Sequence, residues 1–278
     1  MRHIIALMLL VAVVASGCVA IQRTPTETTV SGLRAIAIVP VEAPPLFLES
    51  WTEADRAAVA AAGLALPARQ DIGGLYSGWY LLFGAFCGPL CGMVGEFYAS
   101  SRPRAGETAT MTRAEPPPWM LTAGLARTAA QLLQRAGTRE AFVVEGYVQL
   151  PIEHRSVNVK QGIVEMENWM APIRRWYNSE VPIIDYTQLG APRADVILEV
   201  GVLGYGYQII RLLLQVVVKL SDPTTKQVLG RARNLSMTKA EPLAQMLQDQ
   251  GQPLRRLIET TGEALLTQCL KDLGLIPR

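Results

Sequence analysis

Histidine is nearly absent from this chain: it has two in 278 residues, and the scarcity limits its chemistry. His3 belongs to the N-terminal run, so a Ser-His-Asp or Cys-His arrangement would have to be built around His154. That residue follows Pro151-Ile152-Glu153, a turn-like strand exit, and reads as a solvated or capped side chain. One imidazole among scattered carboxylates also argues against catalytic zinc, and no metal site is expected. An excess of either charge is missing as well. The chain carries 26 Lys and Arg against 24 Asp and Glu, a net of +2, and nothing in that balance marks a nucleic-acid partner. No Walker-type phosphate loop occurs. Gly201-Val202-Leu203-Gly204-Tyr205-Gly206 clusters glycines without the spacing of a dinucleotide fingerprint, and is expected to be a bulge or a hairpin turn. Internal repeats and long low-complexity runs are absent. With no catalytic constellation, the sequence reads as a protein that is not an enzyme and needs no cofactor.

What is present begins at the N-terminus. Arg2 and His3 open a polar start, Ile4 to Ala15 form an apolar run, and Ala15-Ser16-Gly17-Cys18 places small residues before a cysteine. This resembles the lipobox of bacterial lipoproteins. The resemblance implies removal of residues 1–17 as a signal peptide and covalent lipid (diacylglycerol and a palmitate-type chain) on Cys18. The mature chain is then tethered to a membrane surface outside the cytoplasm. Val19 stands where aspartate would retain such a protein at the inner membrane of enteric bacteria, which points to the outer membrane and a periplasm-facing domain. An ordinary cleaved signal peptide and an uncleaved anchor are the other readings of the same run. Residues 18–33, rich in Thr, read as a flexible tether, and 34–278 as one periplasmic domain.

Three further cysteines remain. Cys269 falls on the apolar side of a predicted helix and reads as a buried free thiol. Cys87-Gly88-Pro89-Leu90-Cys91 holds one residue more than the redox tetrapeptide, which removes the geometry that activates a thiol at a helix N-terminus. A structural disulfide and two free thiols both stay open there. These two cysteines lie in 72–95, where no charged side chain occurs between Asp71 and Glu96. As a helix this segment would reach ~36 Å, enough for a hydrocarbon core of ~30 Å. Gly84, Gly88 and Gly92 recur every fourth residue, a glycine-zipper spacing that admits close backbone approach. Pro89 and seven glycines weaken a straight helix. The segment therefore reads as a membrane-contact or self-association element, or as apolar structure packed on its own domain.

Around this Gly-rich piece, residues 45–118 read as an insertion after a first strand that includes Ile36 and Ile38. A helix follows, with Leu121, Leu125, Ala129, Leu132 and Leu133 on one face and Gly137 at its end. Phe142 to Leu150 alternate as a single strand. Residues 162–179 show helical spacing that Pro172 should kink or divide, and Trp169, Trp176 and Tyr177 on it read either as a wide apolar face that covers a sheet or as aromatics presented to a partner or to the membrane interface. Arg174-Arg175 reads as a solvated face. Strands are expected at 194–203, 208–220 and 226–235, with Ser221-Asp222-Pro223-Thr224 turning between the last two. A final helix over 253–272 carries Leu254, Leu257, Ile258, Thr261, Leu265 and Cys269 as its stripe. The order implies an α+β (α/β-like) fold: a mixed sheet of four or five strands with helices packed on it, plus the Gly-rich insertion.

The arrangement also resembles lipoproteins of the curli-secretion-channel type and the lipoprotein activators of penicillin-binding proteins. The residues that carry the likeness are Ile36-Ala37-Ile38-Val39-Pro40, the helix before Gly137, and Phe142-Val143-Val144-Glu145. Ala194 to Gly201 and Leu220 to Gly230, with its Asp-containing turn, complete it. The resemblance implies a structural or assembly component of a cell-envelope complex, serving secretion or envelope biogenesis. Its partners are the membrane, through the lipid, and envelope proteins or further copies of itself. An envelope-associated hydrolase, or an activator of a peptidoglycan enzyme, is the alternative.

Overall fold

The computed structural model describes residues 33–44, 46–48, 109–112, 119–137, 140–151, 172–182, 184, 186, 194–208 and 210–278. Strands run as β1 (Ala35–Pro40), β2 (Phe47–Leu48), β3 (Thr110–Thr112), β4 (Glu140–Val143), β5 (Tyr147–Gln149), β6 (Val196–Gln208), β7 (Arg211–Asp222) and β8 (Gln227–Lys239). Helices are α1 (Leu121–Arg135), α2 (residues 172–178), α3 (Leu243–Met246) and α4 (Gln248–Asp272). Five strands stand in the order β4-β1-β6-β7-β8, the first three parallel and the last three antiparallel, so the sheet is mixed. β2 adds a short parallel pairing at Gly206 and Tyr207, beyond the reach of β1. β3 and β5 form a separate antiparallel ribbon.

β1 is central because all six of its residues are apolar and buried, the pattern of a strand covered on both faces. On one face Ile36, Ile38, Leu198, Val200, Val216 and Val218 meet α1 and α4. On the other, Ala37, Val39, Ile197 and Val217 lie under Val148, Ile173, Trp176 and Tyr177, which come from β5 and α2. The apolar stripes expected for the two long helices are the faces that pack, with Leu132 and Leu257 only half-buried. In α4 the first turn is broken by Asp249, Gln250 and Gly251, at φ of 50°, 58° and 75°, so the regular helix starts near Pro253, where the missing donor does no harm.

One expectation changes, and one open alternative is decided. The strand read as continuous from Phe142 to Leu150 is divided. Val144 N still donates to Ile38 O at 2.9 Å, but Gly146 takes φ 92°, a left-handed conformation that turns the chain into β5. The glycine cluster at 201–206 is a bulge and not a hairpin turn: β6 runs through it with a register shift between Val202 and Gly204. All three long strands extend past their expected ends. The turn after β7 forms as expected, with Asp222 Oδ1 accepting from Thr224 N at 2.7 Å and Thr225 N at 3.1 Å.

Candidate functional site

A charge within an otherwise apolar buried strand must be met by another charge or by donors. β6 contains one such residue, Glu199, and β7 another, Lys219; the two stand directly opposite in register, and both are 0% exposed. Lys219 Nζ lies 3.1 Å from Glu199 Oε2, a contact of charges out of line for a hydrogen bond, since Oε2 has no aligned donor. The ammonium donates to the Trp176 carbonyl at 2.9 Å. Glu199 Oε1 accepts from Trp176 Nε1 at 3.0 Å and from the Tyr186 hydroxyl. The same ammonium sits 5.2 Å from the Trp176 ring centroid, within reach of its π-face.

Burial lowers the pKa of Lys219, and the Glu199 carboxylate opposes that shift. Burial first, then the charge and hydrogen bond of Glu199, hold the Tyr186 phenol well above its usual range, so it donates as a neutral group. β6 leaves room for the indole at Gly201. A Cβ there would lie 2.6 Å from Trp176 Cζ3 and 2.7 Å from Cη2, so only glycine accepts the ring without displacement. From β8, Arg231, paired with Lys219, secures the end of α2: it donates to Ser179 O at 2.7 Å and Asn178 O at 3.3 Å, and its Nη1 lies 3.1 Å from Glu180 Oε1. A cation at this position complements the partial negative charge of the helix end.

These groups fix α2 and the chain to Tyr186 on the sheet. They have no solvent path to a substrate, since the side chains of Glu199 and Lys219 are sealed. A shallow surface depression near the β7–β8 turn is lined by Pro182, Ile184, Tyr186, Asp222, Pro223 and Lys226. Among the described residues no cluster of three or more His, Cys, Asp or Glu is placed to hold a metal, and no helix is long and apolar enough to cross a membrane.

Cys18, the Cys87 and Cys91 pair, Gly84, Gly88, Gly92, His154 and Trp169 lie outside the described residues. Trp176 and Tyr177 are buried on the face of α2 that packs on the sheet, as the apolar-face reading has it. Cys269 is a buried free thiol. Burial pushes its pKa up to about 12, with Asn234 Nδ2 at 3.4 Å opposing. It is expected to resist alkylation in the native protein at pH 8 and to react fully in denaturant, as peptide mass spectrometry would read; native labelling at Cys269 would contradict its burial.

No family model and no curated protein matches this chain. Among solved structures, it is similar to the PelC dodecamer from Paraburkholderia phytofirmans, at 13% identity and a TM-score of 0.31, over 58% of this chain and 80% of that one. Lipoprotein GNA1162 from Neisseria meningitidis is 18% identical with a TM-score of 0.23, over 52% of this chain and 89% of that one. The hypothetical protein CT253 from Chlamydia trachomatis is 13% identical with a TM-score of 0.25, over 56% and 93%. Likenesses at these scores carry no argument about role.

Proposed function

We propose that this protein is an outer-membrane lipoprotein, anchored through Cys18, whose periplasmic sheet domain is a non-enzymatic structural or assembly component of a cell-envelope complex. The observation that carries the reading is Ala15-Ser16-Gly17-Cys18 after an apolar run, followed by a polar tether and a folded domain. The buried polar groups are engaged in holding α2 to the sheet, a structural use of the charges. Residues 72–95 are a second membrane-contact or self-association element in the same proposal, on the grounds of their length and glycine spacing.

Cys18→Ser is expected to move the protein from the membrane to the soluble fraction or to block its processing, because acyl chains supply most of the anchoring. Fractionation with intact-mass measurement reads the result. Deleting 72–95 in that variant separates the contribution of the segment from that of the lipid. Unchanged mass and unchanged membrane binding on Cys18→Ser would overturn the lipid anchor. Loss of function in His154→Ala with neighbouring acids replaced, while folding and partner capture persist, would favour the hydrolase reading.

A further inference from the structure

β8 is one of the two edges of the sheet and much the longer, with 13 residues against four in β4. The β4 edge is partly covered: Gln134 Nε2 of α1 donates to Ala141 O at 2.8 Å. No such bond reaches the far side of β8 among the described residues. Ala240 N donates to Ile210 O, and the β7–β8 register runs unbroken from Arg211 opposite Lys239 to Leu220 opposite Gly230. Antiparallel pairs alternate between bonded and non-bonded. Even-numbered residues of β8 therefore turn their N–H and C=O to β7, while those of Arg233, Leu235, Met237 and Lys239 point outward.

The side chains of these four share the face away from α4, and Arg233, Leu235 and Lys239 are exposed, Leu235 by 42%. Arg231, Arg233 and Lys239 are the charges of β8, with no carboxylate among them, and Arg211 of β7 stands beside Lys239. Arg231 is held by the end of α2, which leaves Arg233 and Lys239 flanking an open ladder.

We propose that the outer edge of β8 from Arg233 to Lys239 docks an extended acidic segment of a partner protein, which adds to the sheet as a further strand. Main-chain bonds give such an addition its affinity, and the cations select the partner's side chains. A second copy of β8 is disfavoured, because an antiparallel pairing centred on Leu235 sets Arg231 against Lys239. The inference rests on the assembly reading and names the surface that serves it.

The test uses the full lipidated chain in mild detergent and three fluorescent ten-residue peptides, read by anisotropy. One alternates glutamate and valine, one has lysine for glutamate, and one keeps the glutamates but has proline for valine. The acidic peptide is expected to bind about tenfold more tightly than the lysine peptide, as a few cross-strand charge pairs allow. The proline peptide, with half its donors gone, should bind weakly. R233E with K239E should reverse the preference. Leu235→Pro, which removes an outward donor and spares the β7 ladder, should abolish binding. If Leu235→Pro does not fold, the charge-reversed variant decides alone. Equal affinity for the intact and proline peptides, or an unchanged preference in the charge-reversed variant, would overturn the proposal. So would absence of peptide binding with uptake of Cys18→Ser protein by phosphatidylglycerol vesicles through Arg233 and Lys239. The Cys18→Ser fractionation reads the lipid anchor separately, so either can fail without the other.

Discussion

Lys219→Met is expected to destabilise the protein by about 3 kcal/mol, the lower end of the cost of leaving a buried charge without its partner. The lower end applies because Trp176 and Tyr186 still donate to Glu199 Oε1 after the ammonium is gone. In urea the midpoint should fall by about 1 M. Glu199→Gln combined with Lys219→Met removes both charges, and the double variant should recover most of the loss, since two neutral buried groups need less solvation than one unpaired ion. A double variant that loses the sum of the two single losses would contradict the pairing of Glu199 with Lys219.

Trp176→Ala should cost about 3–5 kcal/mol, the range for truncating a large buried aromatic. The side chain is 1% exposed, fills the space over Gly201, and carries one of the donors to Glu199. Its backbone carbonyl, which receives Lys219, survives the substitution, so the loss reports the indole. Trp176→Phe keeps most of the bulk and removes the donor, and should cost about 1–2 kcal/mol. Hydrogen exchange gives the location: amides of α2 in Trp176→Ala should exchange well before those of β6 and β7. Equal losses for the two variants, or uniform exchange across the sheet, would show that the ring does not hold α2 in place.

Helices α1 and α4 and the long strands were legible because their cause is local. Leu121, Leu125, Ala129 and Leu133 recur at helical spacing, and one face of α1 buries them. Asp222-Pro223 specifies a turn by its own chemistry, and the turn forms. The division of Phe142 to Leu150 was not legible, because an alternating pattern does not show which glycine takes a positive φ; Gly146 does, at 92°. The buried site was missed, although part of its signal is in the sequence. A single carboxylate in Val196-Ile197-Leu198-Glu199-Val200 and a single ammonium in Val216-Val217-Val218-Lys219-Leu220 each signal a partner. That they face one another depends on a register offset by the bulge at Val202 and Gly204, which a sequence pattern does not fix. Tyr186, far along a Pro-rich stretch, gave no periodic signal. Cys269 was readable from its place on a helix stripe, and is buried there.

Whether the proposed lipid-anchored envelope component assembles is decided by the mass of the species extracted from bacterial membranes in mild detergent, by chromatography coupled to light scattering. The expected species is a discrete assembly heavier than one chain, either several copies or the chain with a co-purifying envelope protein, built on protomers that begin at an acylated Cys18. A species with the mass of one chain at every protein concentration, with no partner and no lipid on Cys18, would contradict it.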